Sequence, residues 1–275
     1  MSVEITLLFT MKQFIDSFPP QLTILLENSE LHENTIGESE SHVFHAIADN
    51  GTENRYLKIH PADATESLMH EAAILRWLDG KIAVPRVLYS EKTAQFEFLL
   101  LSEIAGLPSF ATELRKNTGK TLREIARSLR MLHAIPIDDC PFDERLEKKL
   151  AVIDRKIRNN EIDTTDLEPE NENCSISTLY ARVHDISQNV VEDLVFTHGD
   201  FCMPNILICE TQFSGLIDMG RAGISDRYQD IALMLRSLKH NGFNHTHCEL
   251  FLYEYGITQP DYTKIELYTL VDEFY

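Results

Sequence analysis

At 275 residues, 43 % of them hydrophobic, the chain is long enough for one large domain or for two lobes sharing a cleft. Its formal net charge of −19, from 44 acidic against 25 basic residues, argues against nucleic acid as a partner and suits a polycationic small molecule, which an acidic cleft would concentrate. No apolar run approaches the roughly 20 residues of a membrane helix, and the start, with Glu4 inside a short apolar patch and no basic leader, makes a poor signal peptide.

The opening residues read as a short helix around Met11–Ser17, the breaker Pro19-Pro20, and a strand at Leu22–Leu26. From Thr35 the pattern becomes strand-like. His42–Asp49 and Arg55–His60 flank Asn50-Gly51, a strong hairpin signal. Lys58 is a polar position in that second, alternating strand. A helix over Ala64 to Leu78 follows, with Ala72, Ala73, Leu75 and Leu78 on its apolar side and Glu71 in its middle. Val87–Tyr89 and Phe96–Glu103 are further strands, the latter losing its alternation as a strand buried between lobes would; Ser102–Gly106 reads as a hinge.

Beyond it the chain is mostly helical. Thr121–His133 places Leu122, Ile125, Ala126, Leu129 and Leu132 at helical spacing, with Thr121 as cap and Glu124 completing a capping box. Phe142–Asn159 has the mixed charge of an exposed-face helix. Glu161–Asn173 carries Glu161, Asp163, Asp166, Glu168, Glu170 and Glu172, either a solvated loop or an acidic flap over a substrate. Asp226–Lys239 is a helix opening on an Asp cap, with Ile231, Met234, Leu235 and Leu238 inward. Two more helices follow, His247–Tyr255 ended by Gly256, and Asp261–Asp272. Five cysteines, odd in number and without CxxC spacing, favour reduced thiols in cytoplasm over disulfides or zinc.

The chemistry concentrates at residues 196–221. Leu194–Phe196 leads into a polar loop, Pro204 precludes a helix across it, and Asn205–Cys209 and Phe213–Ile217 are short strands, the second ending at Asp218-Met219-Gly220. Asp200, Asn205 and Asp218 therefore stand at the ends or turns of adjacent strands. Each alone would pass as a turn former. Together they suit phosphoryl transfer: an Asp to orient an attacking hydroxyl, and an Asn and a second Asp, five and eighteen positions on, to hold Mg²⁺ on nucleotide phosphates.

The run His198-Gly199-Asp200-Phe201-Cys202-Met203-Pro204-Asn205, then Leu216-Ile217-Asp218-Met219-Gly220-Arg221-Ala222-Gly223 and Asp226-Arg227-Tyr228-Gln229-Asp230-Ile231-Ala232, resembles the aminoglycoside 3′-phosphotransferases, antibiotic-resistance kinases with a protein-kinase-like fold. The resemblance spans Ile36 to Tyr275. It implies an α+β, bilobal architecture, with an antiparallel-sheet nucleotide-binding lobe over 1–103 and a larger, mainly helical catalytic and substrate-binding lobe over 104–275.

It also implies roles. Asp200 is the catalytic residue; Asn205 and Asp218 are metal ligands; Lys58, paired with Glu71, takes the phosphates of ATP or GTP. Ser39, in the place of the phosphate-covering loop, and Tyr56, Ser102 and Ile104, around the base, complete the nucleotide site, though a cross-strand role for Tyr56 stands equally. Glu168, Glu170, Asn171, Glu172 and Arg221 are candidates for the drug. The ending Asp272-Glu273-Phe274-Tyr275 matches family tails whose carboxylates, that of Tyr275 included, bind drug ammonium groups. Asp230 is expected to tie the catalytic loop's backbone. One departure is Lys239-His240, where members often carry a glutamate, which would narrow the drugs accepted. The substrate implied is a cationic aminoglycoside of the kanamycin/neomycin type, with no nucleic acid, membrane or protein partner; a kinase of a metabolite such as choline and an inactive nucleotide-binding module remain the alternatives.

Overall fold

The structure is a computed structural model that describes residues 14–34, 42–49, 53–163 and 167–275. Its contacts group into two units, Met1–Met69 with Val87–Glu103, and His70–Arg86 with Ile104–Tyr275.

The first unit is built on five antiparallel strands: β1 (Ser29–Asn34), β2 (His42–Ala48), β3 (Arg55–Pro61), β4 (Val87–Lys92) and β5 (Phe96–Ser102), in the order β1-β2-β3-β5-β4. The alternation read in the sequence sets the two faces of β3. Leu57 and Ile59 are fully buried with Phe44, Phe98 and Leu100, while Tyr56 and Lys58 point to the opposite face. The hairpin turn at Asn50-Gly51 lies outside the described residues, as does Ser39; of the helix expected over Met11–Ser17, only the residues from Phe14 onward are described.

Leu22–Leu26 is not a strand. It belongs to helix α1 (Pro20–Leu26), because Pro20 sits in the first turn, where its fixed φ suits a helix and its missing N–H costs nothing. Leu22 and Leu26, four apart, then bury on one side. The next helix, α2 (Leu68–Leu78), starts later than the expected Ala64. Its beginning is fixed by Glu97 of β5. That buried carboxylate accepts from the Ser67 hydroxyl (2.9 Å), the Met69 amide (3.2 Å) and Lys92 Nζ (2.9 Å).

The second unit carries most of α2 and helices α3 (Thr118–His133), α4 (Leu146–Asn159), α5 (Ile176–Ser187), α6 (Tyr228–His240), α7 (His245–Tyr255) and α8 (Tyr262–Asp272). Two small antiparallel sheets accompany them. One joins β6 (Leu107–Pro108), β8 (Ile206–Cys209) and β9 (Gln212–Leu216); the other pairs β7 (Leu194–Thr197) with β10 (Gly223–Asp226).

Helix α3 begins three residues before the expected cap. Thr121 lies inside it, buried, with its hydroxyl donating to the Leu114 carbonyl (3.2 Å), and Glu124 accepts the Phe213 amide (3.1 Å) instead of closing a capping box. Helix α4, by contrast, starts later than expected, only at Leu146, because Phe142 and Glu144 are spent on backbone hydrogen bonds to Ile224 of β10. Asp226 does not cap α6 as expected: it ends β10, and the helix starts two residues later with Arg227 at its N-cap, while Asp226 accepts the Tyr228 amide (2.9 Å) from just ahead of the helix and Lys264 of α8 holds its other oxygen at 2.6 Å. Among the described residues no helix is long and apolar enough to cross a membrane.

Candidate active site

The loop after β7 is fastened by its own backbone. His198 and Gly199 donate their amides to the two oxygens of Asp230 on α6 (2.8 and 2.9 Å), the tie expected of that residue. Gln229 Nε2 donates to the Gly199 carbonyl (3.1 Å), the Met203 amide to Ser237 Oγ (3.0 Å), and Ser109 Oγ to the Met203 carbonyl (2.9 Å). Asp230 and Gln229 are wholly buried. Charge-assisted bonds to a carboxylate in such a setting are worth about 1.5–3 kcal/mol each.

This frame holds two of the three oxygen-bearing side chains together. Asn205 Nδ2 donates to Asp200 Oδ2 at 2.9 Å and to the Asp200 carbonyl at 3.0 Å. With its nitrogen so engaged, the Asn205 amide keeps its oxygen for another partner. The strand bearing Asp218 is bonded to the same loop: His198 Nε2 donates to the Ile217 carbonyl (2.9 Å) and the Ile217 amide to the Asn205 carbonyl (3.0 Å). Asp218 then turns into left-handed backbone, φ 60° and ψ 55°, a sparsely occupied region in which it projects exposed from the end of β9. The Cys202 thiol registers both carboxylates. Burial first, then the charge of Asp200, and more weakly that of Asp218, push its pKa well above the ordinary thiol value.

The donor set, a carboxylate and an amide oxygen, is hard. Among the described residues no three His, Cys, Asp or Glu side chains form a cage of their own. Mg²⁺ fits that arrangement, since it binds through one or two protein oxygens and completes its shell with water and phosphate.

A second cluster continues from Arg221, three residues beyond Asp218. Arg221 Nη2 donates to Asp272 Oδ1 (2.9 Å), and its guanidinium lies 4.7 Å from the centroid of the Tyr275 ring. The other oxygen of Asp272 is held by Arg236 of α6, which also grips Glu168. His240, one turn further along α6, reaches Glu168 at 3.0 Å. Buried Glu273 accepts from Asn171 Nδ2 (2.6 Å) and from the Glu168 amide (3.1 Å). Lys156 donates to the Phe274 and Tyr275 carbonyl oxygens (3.0 and 3.1 Å).

Of the residues expected to meet a drug, Glu168, Asn171, Arg221, Asp272, Glu273 and Tyr275 thus form one connected group, while Glu170 and Glu172 are exposed on a turn. Arg236, which binds the group together, was not singled out in the sequence. A signal was available: it is the one cation among the otherwise apolar and small residues 231–238.

In the first unit, the face of β3 that carries Lys58 also carries Tyr56, whose ring stacks on the cross-strand partner His45 at 4.6 Å and 13°. Ser102 ends β5 opposite Arg55. In the second unit, Ile104 packs against Gly215, where an added Cβ would come within 2.6 Å of its Cδ1, and Glu71 Cβ lies 3.8 Å from where a Cβ on Gly220 would be.

An antiparallel-sheet unit, a mainly helical unit and a loop that pairs Asp200 with Asn205 and is bonded to the stretch leading into Asp218 define a kinase-type phosphotransferase. Comparison with known proteins bears this out. Residues 33–268 match the phosphotransferase enzyme family. An aminoglycoside 3′-phosphotransferase of Niallia circulans is 37 % identical over 96 % of this chain and 100 % of its own, and one of Enterococcus faecalis 33 % identical over 93 % and 97 %. The crystal structure of an aminoglycoside 3′-phosphotransferase of type VIII superposes with a TM-score of 0.83 at 29 % identity, covering 96 % of this chain and 97 % of that one. That of aminoglycoside phosphotransferase APH(3″)-Id from Streptomyces rimosus, solved with ADP and streptomycin, does so at 0.77 and 27 %, covering 92 % and 95 %. The chain belongs to the phosphotransferase enzyme family, and it is a kinase.

Proposed function

We propose that the protein transfers the γ-phosphate of ATP or GTP to the 3′-hydroxyl of a kanamycin- or neomycin-type aminoglycoside in the cytoplasm, and so confers resistance. The observation that carries this reading is the continuity from Asp218 through Arg221 to the carboxylates of Asp272, Glu273 and Glu168. A phosphate-handling stretch thereby adjoins a cluster of carboxylates, already partnered by Arg221, Arg236 and Asn171, for which a polycation would compete. Phosphorylation would remove a hydroxyl and add negative charge, weakening the drug's hold on anionic ribosomal RNA.

Asp200 orients the acceptor hydroxyl and takes up its proton, with Asn205 fixing the carboxylate's rotamer through the 2.9 Å bond. Mg²⁺, held by Asn205 and Asp218, would neutralise charge on the phosphates. Lys58, with Glu71, serves the α- and β-phosphates, and Tyr56, Ser102 and Ile104 serve the base, His45 stacking on the tyrosine to hold its ring. Residues 1–103 supply the nucleotide lobe and 104–275 the catalytic one. Because a loose phosphoryl-transfer transition state asks mostly for positioning and charge neutralisation, a backbone-anchored loop is the right support.

The test is a phosphate-transfer assay on kanamycin, neomycin and choline at equal concentration, with product mapping by NMR. Phosphate at the aminoglycoside 3′-oxygen is expected; activity on choline alone would overturn the substrate assignment. Asp200→Ala is expected to lower kcat by at least about 10²-fold while nucleotide affinity persists.

A further inference from the structure

Asp230 is engaged by more than the loop amides. His133, in the last turn of α3, places Nε2 3.0 Å from Asp230 Oδ2 and Nδ1 2.7 Å from the Tyr255 hydroxyl of α7. Arg227 in turn donates Nη1 to that hydroxyl at 3.2 Å, and is itself held by Asp193, Nη2 to Oδ1 at 3.1 Å. We propose that His133 is a positioning residue of the catalytic loop, fixed as the Nε2–H tautomer by a one-way run of donors from Arg227 through Tyr255 to Asp230. The inference rests on the role given above to the loop carrying Asp200.

The direction follows from what each group can do. A guanidinium only donates, so the Tyr255 oxygen accepts from Arg227. Burial pushes the Tyr255 phenol up to about 12 against the opposing effect of Arg227, so the hydroxyl keeps its one proton, and His133 Nδ1 is positioned to accept it. The Asp230 carboxylate only accepts, so the proton at His133 must sit on Nε2. A doubly protonated ring would aim a second N–H at Tyr255 and leave the phenolic proton unpaired. The His133 side chain is 3 % exposed and that of Asp230 0 %, where an unpaired donor is costly. Asp230 is thereby held from one side by His133 and offers its oxygens to His198 and Gly199 on the other, which aims the loop.

Nitrogen-15 NMR of the full chain at neutral pH tests this directly, with His133→Gln used to assign the ring. His133 is expected to show a pyrrole-type Nε2 and a pyridine-type Nδ1. Tyr255→Phe, which keeps the ring that packs in the core, is expected to lower kcat three- to tenfold, with KM for nucleotide and for acceptor within twofold. An Nδ1–H tautomer or an imidazolium in the parent, or a Tyr255→Phe variant with unchanged kcat, would overturn the proposal. The NMR arm does not depend on turnover, so a wrong tautomer condemns this inference alone. Normal turnover by Asp200→Ala would instead remove the loop's assigned role, and with it the positioning claim.

Discussion

The carbonyl oxygen of Arg221 fills the space that a side chain on Gly199 would need: a Cβ built there would lie 1.9 Å from it. Gly199 also has φ +83°, so an L-residue is opposed by its own backbone as well as by its neighbour. This contact presses the loop of Asp200 onto the turn that follows Asp218. Gly199→Ala is therefore expected to cost about 2–4 kcal/mol of unfolding free energy, read by urea titration, and to depress kcat more than that loss of stability would explain.

Asp230→Asn keeps the shape of the anchor and loses half its function. One of the two oxygens that accept the His198 and Gly199 amides becomes an NH₂ facing an N–H. A penalty of about 2–3 kcal/mol is expected. Because the loop rather than the binding surfaces is disturbed, kcat should fall further than either KM rises in steady-state kinetics.

Arg236 is the common partner of Glu168 and Asp272, whose side chains are 11 % and 10 % exposed. Arg236→Ala removes the cation that these two largely buried carboxylates share, leaving Asp272 to Arg221 and Glu168 to His240, at an expected cost of about 2–4 kcal/mol. Aminoglycoside KM should rise while nucleotide KM holds. Combining it with Asp272→Asn should cost less than the two changes summed, since one variant removes part of the charge that the other strands; additivity in a double-mutant cycle would show that the pair is not coupled.

Much of this was legible beforehand and some was not, for physical reasons. Alternation marked β2 and β3, the spacing of Leu122, Ile125, Leu129 and Leu132 marked α3, and the joint positions of Asp200, Asn205 and Asp218 marked the loop, because each is a local pattern. Element starts were harder. Thr121 looks like a cap but is buried within the helix, and Leu22–Leu26 reads as a strand until Pro20 is taken as a helix opener instead of a breaker. Ion pairs across distant segments, such as Arg236 with Glu168 or Lys264 with Asp226, leave no local trace at all. The acidic segment accordingly suggested free carboxylates, whereas Glu168 already has a cation.

Glu97 predicts how stability should depend on pH. Burial raises its pKa, but the bonds from Lys92, the Ser67 hydroxyl and the Met69 amide outweigh this and hold it below the ordinary value. The unfolded chain thus takes up the proton at higher pH than the folded one. The contribution of Glu97 is complete above the ordinary glutamate value of about 4.3 and is lost as pH falls below it, through the folded-state pKa. Glu97→Gln should be markedly less stable than the parent at neutral pH, and the difference should shrink in urea titrations carried out below about pH 4.

Asp218 stands in backbone of the left-handed kind, which asparagine tolerates about as well as aspartate does. The backbone would therefore accept Asp218→Asn, a change of a single charge at an exposed position. Surveys that judge such genes by whether their proteins fold would count that allele as intact. On the metal role proposed above for Asp218, only its codon, or a growth assay, would reveal the lesion.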